Sequence, residues 1–264
     1  MEEKALTAKK SGFSMLPLCF IVFASGAALF VYAIGHLERG ENALGGFLLV
    51  VAILGYIAGI IALPGFKVLK PQEALVLTLF GHYAGTLREP GFYWVCPFCT
   101  AVNPAAGTKL SQSGDVDGGA HAASQSDGMG KKISLKMMTL NNSRQKINDC
   151  LGNPVEIGIA VIWRVTDTAK AVFNVDNYKE YLSLQCDSAL RNVVRVYPYD
   201  VAPNVDTTGD GVADEGSLRG SSEVVAARIR DEIQKNVAEA GIEIVEARIT
   251  YLAYAPEIAA VMLQ

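Results

Sequence analysis

An excess of positive charge is missing from this sequence. Its 23 lysines and arginines are outnumbered by 27 aspartates and glutamates, giving a net charge of −4. A protein that draws its affinity from phosphate contacts needs a basic face, so nucleic acid is excluded as a partner class. Histidine is scarce as well. His36, His82 and His121 are the full set, and none lies near a plausible serine or cysteine partner for acid–base catalysis. The G-x-S-x-G elbow, the helical H-E-x-x-H pair, the P-loop and a G-x-G-x-x-G turn are all absent. These absences speak against an enzyme. Cysteine is the third shortage: five residues, an odd count without a framework of spacings, fit a reducing compartment better than a secreted one.

What the sequence has in abundance is apolar length. Half of its residues are hydrophobic, and they concentrate near the N-terminus in two runs without charge, Phe13–Ile34 and Ala43–Phe66. At about 1.5 Å rise per residue, each run as a helix spans a hydrocarbon core of roughly 30 Å. The first is too long for a signal peptide and lacks a clean A-x-A cleavage site. The second is apolar on every side, which a buried helix of a soluble domain rarely sustains. Both are therefore expected to be transmembrane helices, with a re-entrant hairpin as the variant that leaves the same ends on the same side. Lys4, Lys9 and Lys10 precede the pair and Lys67 and Lys70 follow it, while the connecting GHLERGEN holds Arg39 against Glu38 and Glu41. The positive-inside rule puts both ends, and all that follows, in the cytoplasm. Gly55 and Gly59 stand at G-x-x-x-G spacing, a pattern that lets membrane helices approach closely.

Beyond Lys70 the pattern alternates. Residues 73–81 and 82–89 read as a β-hairpin turning at Gly81, and 88–95 as a Pro-Gly turn into an aromatic strand. Residues 103–130 are rich in glycine, serine, alanine and aspartate and read as a mobile insertion. Alternation resumes over 131–140 and is cleanest over 154–165, where Val155, Ile157, Ile159, Val161, Trp163 and Val165 share a face. Helices are expected within 176–200, opened by Asn177 and Glu180 and stopped by Pro198, and over 221–241, capped by Ser221 or Ser222 and by Gly241. Residues 242–255 form a strand whose phase slips near Ile244–Val245, the mark of a bulge. Pro256 and Glu257 open a last helix.

Four blocks in this order carry a family resemblance. PQEALVLTLFGHYAGTLREPGFYWVCPF (71–98), QKINDCLGNPVEIGIAVIWRVTDTAKAVFNVDNY (145–178) and EARITYLAYAPEIAAVMLQ (246–264), with QCDSALRNVVRVYPYD (185–200) between, resemble the SPFH domain of stomatins, prohibitins and flotillins. The closest likeness is to bacterial, membrane-anchored members. The resemblance implies an α+β fold: a cytoplasmic tail (1–12), a transmembrane hairpin (13–34 and 43–66), a two-part SPFH domain (70–255) with its insertion at 103–130, and the start of a long C-terminal helix (256–264). It also implies a non-enzymatic scaffold in the plasma membrane that associates side by side into a large homo-oligomeric ring or cage and organises a membrane microdomain. Its partners would be the lipid bilayer, further copies of itself, and a membrane protease or other membrane proteins. The alternative is a regulatory subunit that controls such a protease or a transporter in a smaller complex.

Three local motifs remain. Cys96 and Cys99 in WVCPFC have C-x-x-C spacing, which is read as a redox pair, half a metal site, or an incidental reduced pair. A thioredoxin-like centre wants a helix N-terminus in a βαβ setting, whereas this pair follows a strand. A structural zinc site wants four ligands, and Cys150, Cys186 and the histidines supply no second pair. Relatives carry Trp-Val-Asn-Pro-Phe or similar here, so the resemblance places Cys96 at a polar turn position. In DTTGDGVADEGS (206–217), Asp206, Asp210 and Asp214 imitate a calcium loop, but Ser217 replaces the bidentate glutamate, so a solvated acidic turn is expected and no cofactor. Phe92, Tyr93 and Trp94 suit either the headgroup level of a membrane or the core of the sheet.

Overall fold

A computed structural model describes residues 3–6, 12–39, 42–110, 116–117, 131–142, 144–200 and 217–256. The chain divides into two compact units, residues 4–102 and residues 103–264 with 1–3.

The first unit opens with two apolar helices, α1 (Gly12–Glu38) and α2 (Asn42–Ala62), about 40 Å and 31 Å long. They pack on each other as an antiparallel pair. The apolar run extends to Phe66, but the α-helix ends at Ala62. Leu63, Pro64 and Gly65 tighten into a 3-10 turn, because Pro64 has no N–H to give to the ladder, and Phe66 already belongs to a strand.

Strand β1 (Phe66–Leu69) then pairs antiparallel with β4 (Gly91–Trp94), while β2 (Glu73–Leu79), β3 (His82–Leu87) and β5 (Cys99–Ala101) form a sheet in the order β3-β2-β5. The β2–β3 hairpin turns on Phe80 and Gly81, both with positive φ (48° and 85°), which is the type I′ geometry that matches strand twist. The N-terminal tail completes this unit. Leu6 N–H donates to the Thr86 carbonyl and Thr86 N–H to the Lys4 carbonyl, each at 2.9 Å, so the tail lies parallel along the edge of β3. Gly85 makes room for it: a Cβ there would stand 2.5 Å from Leu6 Cγ. Leu69, Leu75, Leu77, Leu87, Tyr93 and Val95 form the core, with Leu6 against it.

The second unit is built on β11 (Pro154–Val165), after the short strands β6 (Lys109–Leu110), β7 (Val116–Asp117), β8 (Ile133–Ser134), β9 (Met138–Asn141) and β10 (Gln145–Asn148). Along one edge β11 pairs with β9 and β10, along the other with β12 (Ile242–Tyr254), all antiparallel. Every residue of the alternating set Val155, Ile157, Ile159, Val161, Trp163 and Val165 is buried. Between β11 and β12 come α3 (Thr168–Phe173), α4 (Tyr178–Val194) and α5 (Ser222–Val237). α5 packs on β12 and on α4, with Val225, Ile229, Ile233 and Val237 of α5 and Leu182, Cys186, Ala189 and Leu190 of α4 all buried. The register steps from Ile162 opposite Glu246 to Trp163 opposite Ile244, so the bulge falls on Val245. A second, without a break in the apolar pattern to announce it, falls on Thr250.

Helix α3 has no counterpart in the sequence reading, since its six residues are too few for a periodic signal. Asp167 caps it by accepting from Lys170 N–H at 2.9 Å. The near end of the Gly/Ser-rich segment is held in place: Lys179 Nζ donates to the carbonyls of Ala105 (3.1 Å) and Thr108 (2.6 Å), and Ala105 is fully buried. These bonds anchor residues that composition alone reads as mobile. The rest of that segment beyond residue 117, the acidic turn 206–216 and the C-terminal helix from 257 lie outside the described residues.

Candidate membrane-facing site

The two long helices meet along a seam of small residues. Gly26 and Ala33 in α1, and Gly45, Ala52 and Gly59 in α2, are buried and recur every seven residues. A Cβ on Gly59 would stand 2.9 Å from Phe23 Cζ, one on Gly45 2.7 Å from Leu37 Cγ, and one on Gly26 3.3 Å from Tyr56 Cε2. Lipid chains are as apolar as leucine, so membrane helices associate through close packing, and small residues on the seam permit it. A seven-residue repeat keeps that seam facing its partner along a left-handed pair. Of the G-x-x-x-G glycines, Gly59 lies in this seam, whereas a methyl on Gly55 would meet nothing within 4 Å. Reading small residues at i+7 rather than i+4 is the signal that finds the whole set. The outer faces carry Phe20, Ile21, Val31, Phe47 and Ile60, all more than half exposed. An apolar surface of that extent has no place in water and suits hydrocarbon.

Where the helices end, the aromatic strand β4 receives them. Trp94 Nε1 donates to the carbonyl of Ala62 at 3.2 Å, satisfying one of the orphan acceptors that every helix C-terminus leaves. Gly65 is required there because a Cβ would sit 2.5 Å from the Val95 carbonyl oxygen, whose residue donates back to Gly65 O at 2.9 Å. Phe92 stacks on Phe66 at 5.4 Å and meets Phe13, at the start of α1, edge-on at 5.6 Å. Tyr93, between them, points to the opposite face as strand alternation requires. It is 2 % exposed in the core of the unit and donates its hydroxyl to the Glu89 carbonyl at 3.0 Å. Burial, and secondarily the charge of Glu89, push its pKa up. Of the three aromatics that suit either an interface or the core, Phe92 and Trp94 stand at the helix ends and Tyr93 turns into the core.

Cys96 and Cys99 close a turn, with Cys99 N–H donating to the Cys96 carbonyl at 2.9 Å. Cys96 is exposed and Cys99 half-buried. Burial first, and then the charge and the hydrogen bond of Cys96, raise the Cys99 pKa. That direction is opposite to the one an attacking thiol needs, and no helix begins here.

The polar groups of the second unit serve its architecture. Asp149 is 5 % exposed and accepts from the backbone N–H groups of Leu151 (2.9 Å), Asn153 (2.8 Å) and Tyr199 (3.2 Å), fixing the turn before β11. An open cavity of about 430 Å³ between α5 and β12 is lined by Ser222, Glu223, Arg230, Glu246 and Arg248. Its arginines are paired, Arg248 with Glu246 and Arg230 with Asp231, both at 2.6 Å. Among the described residues no group of three histidine, cysteine, aspartate or glutamate side chains could hold a metal ion. Asp206, Asp210 and Asp214 lie outside them.

Comparison with curated proteins gives no match. The family model of the SPFH domain / Band 7 family matches residues 67–264, from the first residues of β1 onward, and members of that family are generally membrane-associated, non-enzymatic scaffolds. With the match covering most of its length and two apolar helices leading into the matched region, the chain belongs to the SPFH domain / Band 7 family.

Proposed function

We propose that this protein is a membrane-anchored scaffold whose copies associate side by side into a large ring or cage and so gather or exclude the proteins of a membrane patch. The observation that carries the reading is the attachment of an SPFH domain to a tightly seamed apolar hairpin with both ends at the same unit. The tail before α1 is bonded into β3, α1 begins against Phe92, and α2 runs directly into β1. A hairpin so tied supports a topology with both ends on one side of the bilayer, and the lysines flanking it favour the cytoplasm as that side. The mechanism is physical: the anchor confines the domain to two dimensions, which raises the effective concentration of copies for weak lateral contacts. Gly59 contributes the close helix packing, Phe92 and Trp94 the interface where helix gives way to sheet.

The test is the mass of the full-length protein, extracted gently in detergent and in native lipid discs, by mass photometry. One population of many copies without a stoichiometric second protein is the expected result. A monomer or dimer that persists in both preparations would sink the enclosure, and a fixed-ratio complex with a membrane protease or transporter would make the chain its regulatory subunit.

A further inference from the structure

The β2–β3 hairpin carries an aromatic residue where the backbone least favours one. Phe80 has φ of 48°, the left-handed region that suits asparagine or glycine at this turn position and is a genuine outlier for a bulky side chain. Its ring is 79 % exposed and stacks at 6.0 Å on Phe98, itself 55 % exposed. In water this arrangement loses twice, through backbone strain and through two hydrated aromatic faces.

Strand register locates the pair. Phe66 lies opposite Trp94, and Gly65 is bonded to Val95, so the 95–98 turn sits at the strand ends from which α2 emerges. Leu79 lies opposite Cys99, which puts the Phe80 turn beside it. The connections at the other end of these strands are charged, with Lys70 between β1 and β2, and Arg88 and Glu89 between β3 and β4. One end of the unit is thus aromatic and joined to the helices, the other polar.

We propose that Phe80 and Phe98 form a wedge that enters the headgroup and upper acyl layer of the bilayer beside the hairpin, a second contact that fixes the tilt of the sheet. The inference rests on α1 and α2 being membrane helices. Amphipathic and aromatic residues favour this interface, and the lipid supplies the apolar cover that both rings lack.

The test is fluorescence quenching of the full chain in phosphatidylcholine nanodiscs whose acyl chains are brominated near the headgroup. Trp94→Phe removes one native indole, and Trp163, fully buried, stays as a constant background. Single tryptophans are then placed at Phe80, at Phe98, at Glu89 in the far turn and at Phe20 on the exposed face of α1. The expected result is quenching of the added emission at positions 80 and 98, with position 20 quenched and position 89 unchanged. Quenching at 20 with full emission at 80 and 98, and aqueous acrylamide reaching them as freely as it reaches 89, would overturn the wedge and leave the anchor standing. Full emission at all four positions would remove the anchor and the wedge together.

Discussion

Gly241 offers the sharpest test of the packing argument, because two separable effects meet at it. Its φ is +65°, where a side chain costs roughly 1 kcal/mol or more. A Cβ there would also overlap the Asp167 carbonyl oxygen, lie 2.9 Å from Asp167 Cβ and 3.0 Å from Lys170 Cβ. Overpacking of that kind costs about 1–3 kcal/mol. The space cannot open cheaply, since the Gly241 carbonyl accepts from Thr166 N–H (2.9 Å), Asp167 N–H (3.1 Å) and Thr166 Oγ1 (3.1 Å). Gly241→Ala is therefore expected to destabilise the second unit by about 2–4 kcal/mol. Gly152 is the control: its φ is +88°, yet a Cβ there meets nothing within 4 Å, so Gly152→Ala should cost only the backbone share, about 1 kcal/mol. The assay is urea titration of the full chain in detergent, followed by the fluorescence of Trp163 in a Trp94→Phe background. Equal midpoint shifts for the two variants would refute the close-approach reasoning and leave backbone strain as the whole effect.

Tyr178 is buried beside Trp163 at 6.3 Å, and burial pushes its pKa up to about 12 from 10.0. The unfolded chain then releases this proton first, so its stabilising contribution is intact below pH 10 and is lost as pH rises towards 12. Tyr178→Phe should flatten that alkaline fall, by about 1.3 kcal/mol, in denaturation midpoints compared at pH 9 and 11. In the helix seam, Gly59→Leu should destabilise the hairpin by about 1–3 kcal/mol while Gly55→Leu is nearly silent; size-exclusion retention after heating in detergent reads the difference, and equal losses would restore the G-x-x-x-G reading. At pH 8, iodoacetamide should modify exposed Cys96 well before Cys99, whose thiol is held above its ordinary pKa by burial and by Cys96. Peptide mass spectrometry checks the order, and faster reaction at Cys99 would contradict it.

The sequence announces most of the elements through period and punctuation. β11 begins and ends where its alternation does, Asn177 caps α4 by accepting from the N–H groups of Lys179 and Glu180, and the phase slip near Val245 is a real bulge. What stays hidden is whatever depends on partners remote in sequence. Composition makes residues 103–110 look loose, and only Lys179, brought in by α4, shows why they are held. Adjacent Phe92, Tyr93 and Trp94 look equivalent until the sheet assigns them opposite faces. The Gly55–Gly59 spacing matches a known motif, but the contacts follow a seven-residue repeat that a four-residue window misses. Phe80 and Phe98 are 18 positions apart, and only the β2–β5 register makes them a pair.

The tail on β3 bears on how copies could join. A free strand edge invites pairing with another chain, and proteins that assemble in an ordered way must cover the edges they do not use. Here Lys4–Leu6 occupy the edge of β3 through two 2.9 Å backbone bonds, and Gly85 is shaped to accept Leu6. Lys4–Leu6 are thus bonded to the sheet. The lateral contacts proposed above would then run through surfaces other than the stretch of β3 edge that Thr86 gives to the tail.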